Sequence, residues 1–327
     1  MGLTSDSIFS ITNDSGFETA ALLVFNHQYR HNQIYRSFCD HLRVSPQQVR
    51  TLKAIPYLPI SFFKTKKVVS TTEAPKAIFT SSGTTGASTS KHYVSDLSLY
   101  EKSYLRAFEL FYGNIEDYCI LALLPSYLER EGSSLIYMAN DLIQKSKNKK
   151  SGFYLNDLDK LILTLKGLEA ANTPTILLGV SFALLDLADN HTLNLGNTIV
   201  METGGMKGRR KEIIRTELHK LLKKGLGVSE VHSEYGMTEL LSQAYSLGDG
   251  RFHCPPWMRV STRDTEDPLT PQQFEKTGGI NIIDLANYNS CSFIATQDLG
   301  KSYADGSFEI LGRFDNAEVR GCNLMVL

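Results

Sequence analysis

The sequence predicts an α/β protein built on mostly parallel sheet, flanked by helices, with a smaller β-rich portion at its C-terminal end. Three observations carry that expectation. YCILALLPS (118–126), TPTILLGV (173–180) and GNTIVMETGG (196–205) are continuous apolar runs, the pattern of strands buried on both faces. Helical segments at 155–170 and 181–189 lie between the runs. Beyond Trp257 the texture changes, and GGINIIDL, NSCSFIATQDLG and GSFEILGRFD read as shorter strands and turns.

In chain order, residues 17–43 read as helix, because Phe17, Ala20, Ala21, Val24 and Phe25 recur at helical spacing. A loop with Pro46, Pro56 and Pro59 follows, and then a short strand, KAIF, runs into TSSGTTGASTSKH (80–92). DLSLYEKSYLRAFELFYG reads as an amphipathic helix, with Asp96 as N-cap and Gly113 closing it. KSKNKKSG (145–152) is a candidate exposed loop, and no internal repeat interrupts the pattern. The expected organisation is one domain over 1–327. Its sub-regions are a helical part (1–77), an α/β nucleotide-binding part (78–256) and a β-rich part with a cysteine-bearing tail (257–327).

The formal net charge of −1 argues for neither a nucleic acid nor an anionic membrane as partner. The N-terminus lacks the basic-then-apolar build of a signal peptide, and no apolar run is long enough to span a bilayer. Cys39, Cys119, Cys254, Cys291 and Cys322 are scattered without a CxxC pair, which favours reduced thiols and a cytoplasmic location. The histidines show no metal-ligand spacing, and neither GxSxG nor GxxxxGK[ST] occurs.

In such sheets ligands bind beyond the carboxyl ends of strands. Four segments in that kind of position carry unusual residues: TSSGTTG, ETGGMKGRR (202–210), SEYGMTEL (233–240), and TQDLG with LGRFD (296–315). Taken singly, each is also an ordinary turn, cap or linker, and the serine- and threonine-rich loop is as well read as a linker as a phosphate cradle.

Taken in order, TSSGTTG, TGGMKG, EYGMTE, TQDLG and GRFDNAEVRG resemble the adenylate-forming superfamily over roughly residues 78–327. Within it, the ending RGCNLMVL is similar to that of the LuxE-like acyl-protein synthetases, relatives of the phenylacetate-CoA ligases. The resemblance implies an adenylate-forming large-domain fold and a ligase of the fatty-acid–protein type, using ATP and Mg²⁺. Thr80, Ser81, Ser82, Gly83, Thr84, Thr85 and Gly86 would donate to the phosphates, and Glu239 would offer a hard oxygen to Mg²⁺. Thr238 would face the α-phosphate. Gly204, Gly205, Glu234, Tyr235, Gly236 and Met237 would border the nucleotide, with Tyr235 stacked on adenine. Asp298 would accept the ribose hydroxyls, and Arg313 would bind ribose or phosphate oxygens.

The pattern also departs from the family. The nearest lysine after the phosphate loop is Lys91, which reads equally well as a solvated surface residue. The usual TGD is Thr296-Gln297-Asp298, and the C-terminal domain that carries a catalytic lysine is expected to be missing. Lys207 is the first candidate for its place, followed by Arg209 and Arg210. Cys322 is the acyl acceptor that the resemblance implies, with Arg320 beside it to favour the thiolate. His232 lies outside the catalytic set. The leading expectation is acyl-AMP formation followed by transfer to Cys322 and on to a partner: a reductase, an acyltransferase or an acyl carrier protein. The alternatives are an acid–CoA or acid–carrier-protein ligase, and a nucleotide-binding module without turnover.

Overall fold

Buried strands organise the chain, and capping side chains mark where α-helices such as those starting at Asp14, Gln33 and Leu97 begin. A computed structural model describes residues 4–81, 89–125, 132–204 and 213–314. The N-terminal region holds α1 (Ser5–Phe9), α2 (Asp14–His31), α3 (Gln33–His41), β1 (Leu58–Pro59) and α4 (Phe62–Thr65). The expected helix over 17–43 is therefore two helices, and Asn32 divides them. Its Oδ1 accepts from the Tyr35 amide at 2.9 Å and caps α3, while its amide nitrogen donates to the Ser290 carbonyl at 2.9 Å.

Next comes a hairpin, β2 (Ala77–Thr80) with β3 (Lys91–Val94), and then α5 (Leu97–Tyr112). The strand KAIF thus pairs antiparallel with the segment that follows the serine–threonine loop and lies outside the parallel sheet. Asp96 caps α5 by accepting from Ser98 N at 3.0 Å, and Gly113, at φ +81°, ends it, both as expected.

The larger sheet is assembled from β4 (Cys119–Leu123), α6 (Ser134–Lys145), β5 (Gly152–Phe153), α7 (Leu158–Ala170), β6 (Thr175–Val180), α8 (Ser181–Asn190), β7 (Thr198–Thr203), α9 (Arg215–Leu226), β8 (Val231–Tyr235) and β9 (Ala244–Ser246). Its strand order is β5-β4-β6-β7-β8-β9, parallel except for β9. Every residue of β4 and β6 is buried, which is why these strands read as unbroken apolar runs.

The second sheet contains β10 (Met258–Arg263), β11 (Gly278–Asp284), β12 (Phe293–Ser302) and β13 (Phe308–Arg313). Its order is β1-β12-β11-β10, with β13 also paired to β12, so residues 58–59 of the N-terminal region join the C-terminal sheet. TQDLG is not a turn. It continues β12, and the register pairs Asp298 with Arg313 on β13.

Candidate active site

The carboxyl ends of β7 and β8, the neck of the β2–β3 hairpin and the β12–β13 pair meet in one region. At the neck, Ser81 N donates to Ser90 O at 3.2 Å and Ser90 N donates to Ser81 Oγ at 2.9 Å, so the two ends of the serine–threonine loop are tied together. The Thr80 amide donates to Gly132 O at 2.6 Å. Ser82, Gly83, Thr84, Thr85 and Gly86 lie outside the described residues, as do Gly205, Lys207, Arg209, Arg210, Arg320 and Cys322.

Glu239 sits where β8 runs into its following loop, and it is buried. Burial raises its carboxyl above the usual range. A hydrogen bond from Ser90, its own backbone and the Arg313 and Lys64 cations pull it back. One carboxylate thus touches the neck of the loop and feels two cations from distant parts of the chain. Lys64, Lys66, Lys67 and Lys91 line a cavity of about 430 Å³ that reaches Thr89 at the same neck, which gives Lys91 neighbours of its own sign.

Asp298 is 6% exposed. Its Oδ2 accepts from the Tyr235 hydroxyl at 2.8 Å, and its Oδ1 lies 3.4 Å from Arg313 Nε. Burial raises its carboxyl, and Tyr235, Arg313, Arg215 and Arg263 counter that rise. The Arg313 side chain is 70% exposed and acts on both Asp298 and Glu239. The Tyr235 ring packs against Phe308 and Phe252. Gly204 ends β7 at φ +69°, in the left-handed region that suits glycine, and its carbonyl accepts from Ser181 Oγ at 2.6 Å.

Thr238 and Glu239 are held from behind by residues that sequence reasoning missed. His92 Nδ1 lies 2.9 Å from the Thr238 carbonyl oxygen, and its Nε2 lies 3.0 Å from Asn287 Oδ1. Asn287 Nδ2 donates to the Glu239 and Cys291 carbonyls at 2.7 and 3.0 Å, which fixes the amide with its oxygen toward the ring. Both ring nitrogens therefore face acceptors. Full burial lowers His92 to about 4, so at neutral pH the ring is neutral and donates to one of the two. Asp284 braces the next residues by accepting from the Leu241 and Ser242 amides at 2.7 and 3.0 Å.

Glu234 lies apart from this group. Successive side chains of a strand point to opposite faces, so it faces away from Tyr235 and accepts from Thr203 Oγ1 at 2.5 Å. His232, left out of the catalytic set, meets the Tyr112 hydroxyl through Nδ1 at 3.2 Å. Cys39, Cys119, Cys254 and Cys291 are free thiols, and burial pushes each of them up, Cys39 to about 12. At neutral pH they are protonated and poor nucleophiles.

The family described as "Acyl-protein synthetase, LuxE" matches residues 8–103. No curated protein gives a match to the sequence. Among solved structures, ATP-bound MatB from Rhodopseudomonas palustris is similar with a TM-score of 0.54 at 20% identity, over 72% of this chain and 48% of that one. A 2-hydroxyisobutyryl-CoA ligase in complex with 2-HIB-AMP and CoA has a TM-score of 0.68 at 13% identity, over 93% of this chain and 68% of that one. The chain spans about half the length of MatB. At such identities the likeness establishes the fold, that of the adenylate-forming enzymes: a large α/β domain with a smaller β portion.

Proposed function

We propose that this chain, an adenylate-forming fold with LuxE-type sequence over residues 8–103, activates a carboxylic acid with ATP and passes the acyl group to a thiol. One observation carries the reading: residues from 80 to 313 that suit phosphate, metal and ribose converge, with Arg313 acting on both buried carboxylates. A docking scaffold that binds no nucleotide has no need of that convergence.

In the first half-reaction a carboxylate oxygen attacks the α-phosphorus. The bond to the oxygen bridging the α- and β-phosphates breaks, and pyrophosphate leaves. Two anions must be brought together, so positioning and charge neutralisation dominate the catalysis. Thr80, Ser81 and the loop that follows would hold the β- and γ-phosphates, with the lysines beside Thr89 adding charge. Asp298, oriented by Tyr235, would accept from the ribose hydroxyls, and Gly204 would leave room for a flat base. Glu239 beside Ser90 is a small oxygen donor set of the kind that suits Mg²⁺, which takes one or two carboxylates and fills its shell with water and phosphate. When bound, the ion supplies neutralisation of the triphosphate. His92 and Asn287 set the positions of Thr238 and Glu239.

In the second half-reaction a thiolate attacks the acyl carbonyl and AMP leaves. Cys322 is the acceptor this reading assigns, supported by the unreactive state of the four buried or half-buried thiols. Lys207 would neutralise the α-phosphate. The LuxE match favours a fatty acid as substrate and a reductase or carrier as the next acceptor. The likeness to 2-hydroxyisobutyryl-CoA ligase keeps direct transfer to coenzyme A as the second reading.

Acid-dependent exchange of labelled pyrophosphate into ATP tests the activity, and its absence with every acid sinks the proposal. Incubation with ATP, Mg²⁺ and labelled acid should leave hydroxylamine-sensitive label on the protein. Cys322→Ser should lose that label and keep the exchange. Label persisting as thioester in the variant moves the acceptor elsewhere, and rapid transfer to coenzyme A without protein label puts the second reading first.

A further inference from the structure

Two sheets meet at the proposed nucleotide site, and one side chain that the proposed function does not use is bonded to both. Arg215 is the first residue of α9. The helix dipole disfavours a cation at a helix N-terminus, so this placement has a reason outside the helix. Arg215 Nε donates to Glu202 Oε1 at 3.0 Å, and Glu202, on β7, is 2% exposed. Arg215 Nη1 donates to the Ile310 carbonyl on β13, also at 3.0 Å. The guanidinium lies over the Phe252 ring, 4.8 Å from its centre. Phe252 in turn exchanges backbone hydrogen bonds with Phe308 of β13 at 2.8 and 3.0 Å.

An ion pair that only fastened α9 to β7 needs one of those donors. The rigid fork of the guanidinium carries the second to the other sheet, and it arrives where β13 is irregular. Leu299 faces Gly312 and Gly300 faces Ile310, so Leu311 is an extra residue in β13. Such a bulge re-aims the side chains beyond it, and a slip by one residue turns each of them to the opposite face. Arg313, opposite Asp298, lies just past that bulge. At the other end of the link, Ser181 Oγ lies 3.3 Å from Glu202 Oε2 and donates to the Gly204 carbonyl at 2.6 Å. Arg215 thus ties β7, beside the glycine assigned to the base, to β13, beside the arginine assigned to ribose or phosphate.

We propose that Arg215 is a positioning residue for the nucleotide. Held by Glu202, it pins the β13 bulge at Ile310 and so sets Arg313 against Asp298, a role that rests on the acyl-adenylate reading of this site.

Calorimetric titration of the full chain with MgATP, together with acid-dependent pyrophosphate exchange, tests this in Arg215→Met, Arg313→Met and the pair. Arg215→Met keeps an unbranched apolar stem and removes both donors. Its Kd for MgATP should rise about tenfold, because displacing a positioning group by about 1 Å can cost as much as a hundredfold. KM for the acid should stay within about twofold, since the acid is held elsewhere. In the Arg313→Met background the same substitution should weaken MgATP by less than about twofold, because effects exerted through a shared partner are not additive. Unchanged MgATP affinity in folded Arg215→Met, or an equal loss in both backgrounds, overturns the proposal and leaves the ligase reading standing. If Arg215→Met fails to fold because Glu202 is stranded in the interior, Glu202→Gln with Arg215→Met removes that charge and decides by the same comparisons. MgATP binding without exchange for any acid overturns the ligase reading, and the affinities still decide the role of Arg215. Absence of MgATP binding by the unmodified chain overturns both.

Discussion

Asp298 depends on its neighbours. A carboxylate that is 6% exposed must be compensated, and here the Tyr235 hydroxyl and Arg313 do so. Tyr235→Phe removes the hydroxyl and keeps the ring among Phe252 and Phe308. A hydrogen bond to a charged group contributes about 1.5–3 kcal/mol, so kcat/KM for ATP in the exchange assay should fall roughly ten- to a hundredfold. An unchanged value would remove Asp298 from ribose binding. Glu239→Gln keeps shape and removes charge. Because burial already disfavours the ionised form, the variant should unfold at a similar or higher urea concentration while losing metal-dependent exchange. Retained exchange would exclude the metal role.

At the scale of elements, two glycines in helices should respond to the same substitution with opposite sign. Alanine is usually favoured over glycine inside a helix by roughly 0.5–1 kcal/mol. Gly167 in α7 is exposed, and an added Cβ meets only the end of the Lys150 side chain at 3.7 Å, so Gly167→Ala should stabilise by about that amount. Gly225 lets α9 approach α8 closely. A Cβ there would lie 2.5 Å from the Ala188 carbonyl oxygen and 2.6 Å from its Cβ, so Gly225→Ala should destabilise despite helix propensity, by about 1–3 kcal/mol. Urea midpoints of both variants decide, and a stabilising Gly225→Ala would contradict the close crossing.

Across the whole molecule, two buried groups give opposing pH dependences over nearly the same window. Glu234 rises from 4.5 to about 7 on folding. Between those values the folded state holds a proton that the unfolded state has released, so this contribution to stability is present at low pH and is lost as pH rises. His92 falls from 6.5 to about 4, so the unfolded state binds more protons in that range, and this contribution is lost as pH falls. The two slopes largely offset each other. Glu234→Gln removes one of them, so its stability relative to the unmodified protein should grow between about pH 4.5 and 7, by on the order of 3 kcal/mol. Urea unfolding of both proteins across that range measures it, and a constant difference would show that Glu234 ionises freely in the folded state.

The sequence by itself determined the α/β class, the buried parallel strands and both ends of α5, because apolar periodicity and caps act over a few residues. It also marked Tyr235, Thr238, Glu239, Asp298 and Arg313, through short motifs whose order is informative. Only the tertiary structure decided that Asn32 splits the first long helix, by bonding to Ser290, and that KAIF forms a hairpin outside the main sheet. The same is true of Asp298 inside a strand opposite Arg313, and of His92 holding Thr238 through a contact spanning 146 positions. Nothing near His92 in sequence signals that role. A buried polar side chain takes whichever partner the fold brings to it, and that partner is set by strand order and packing rather than by local propensity.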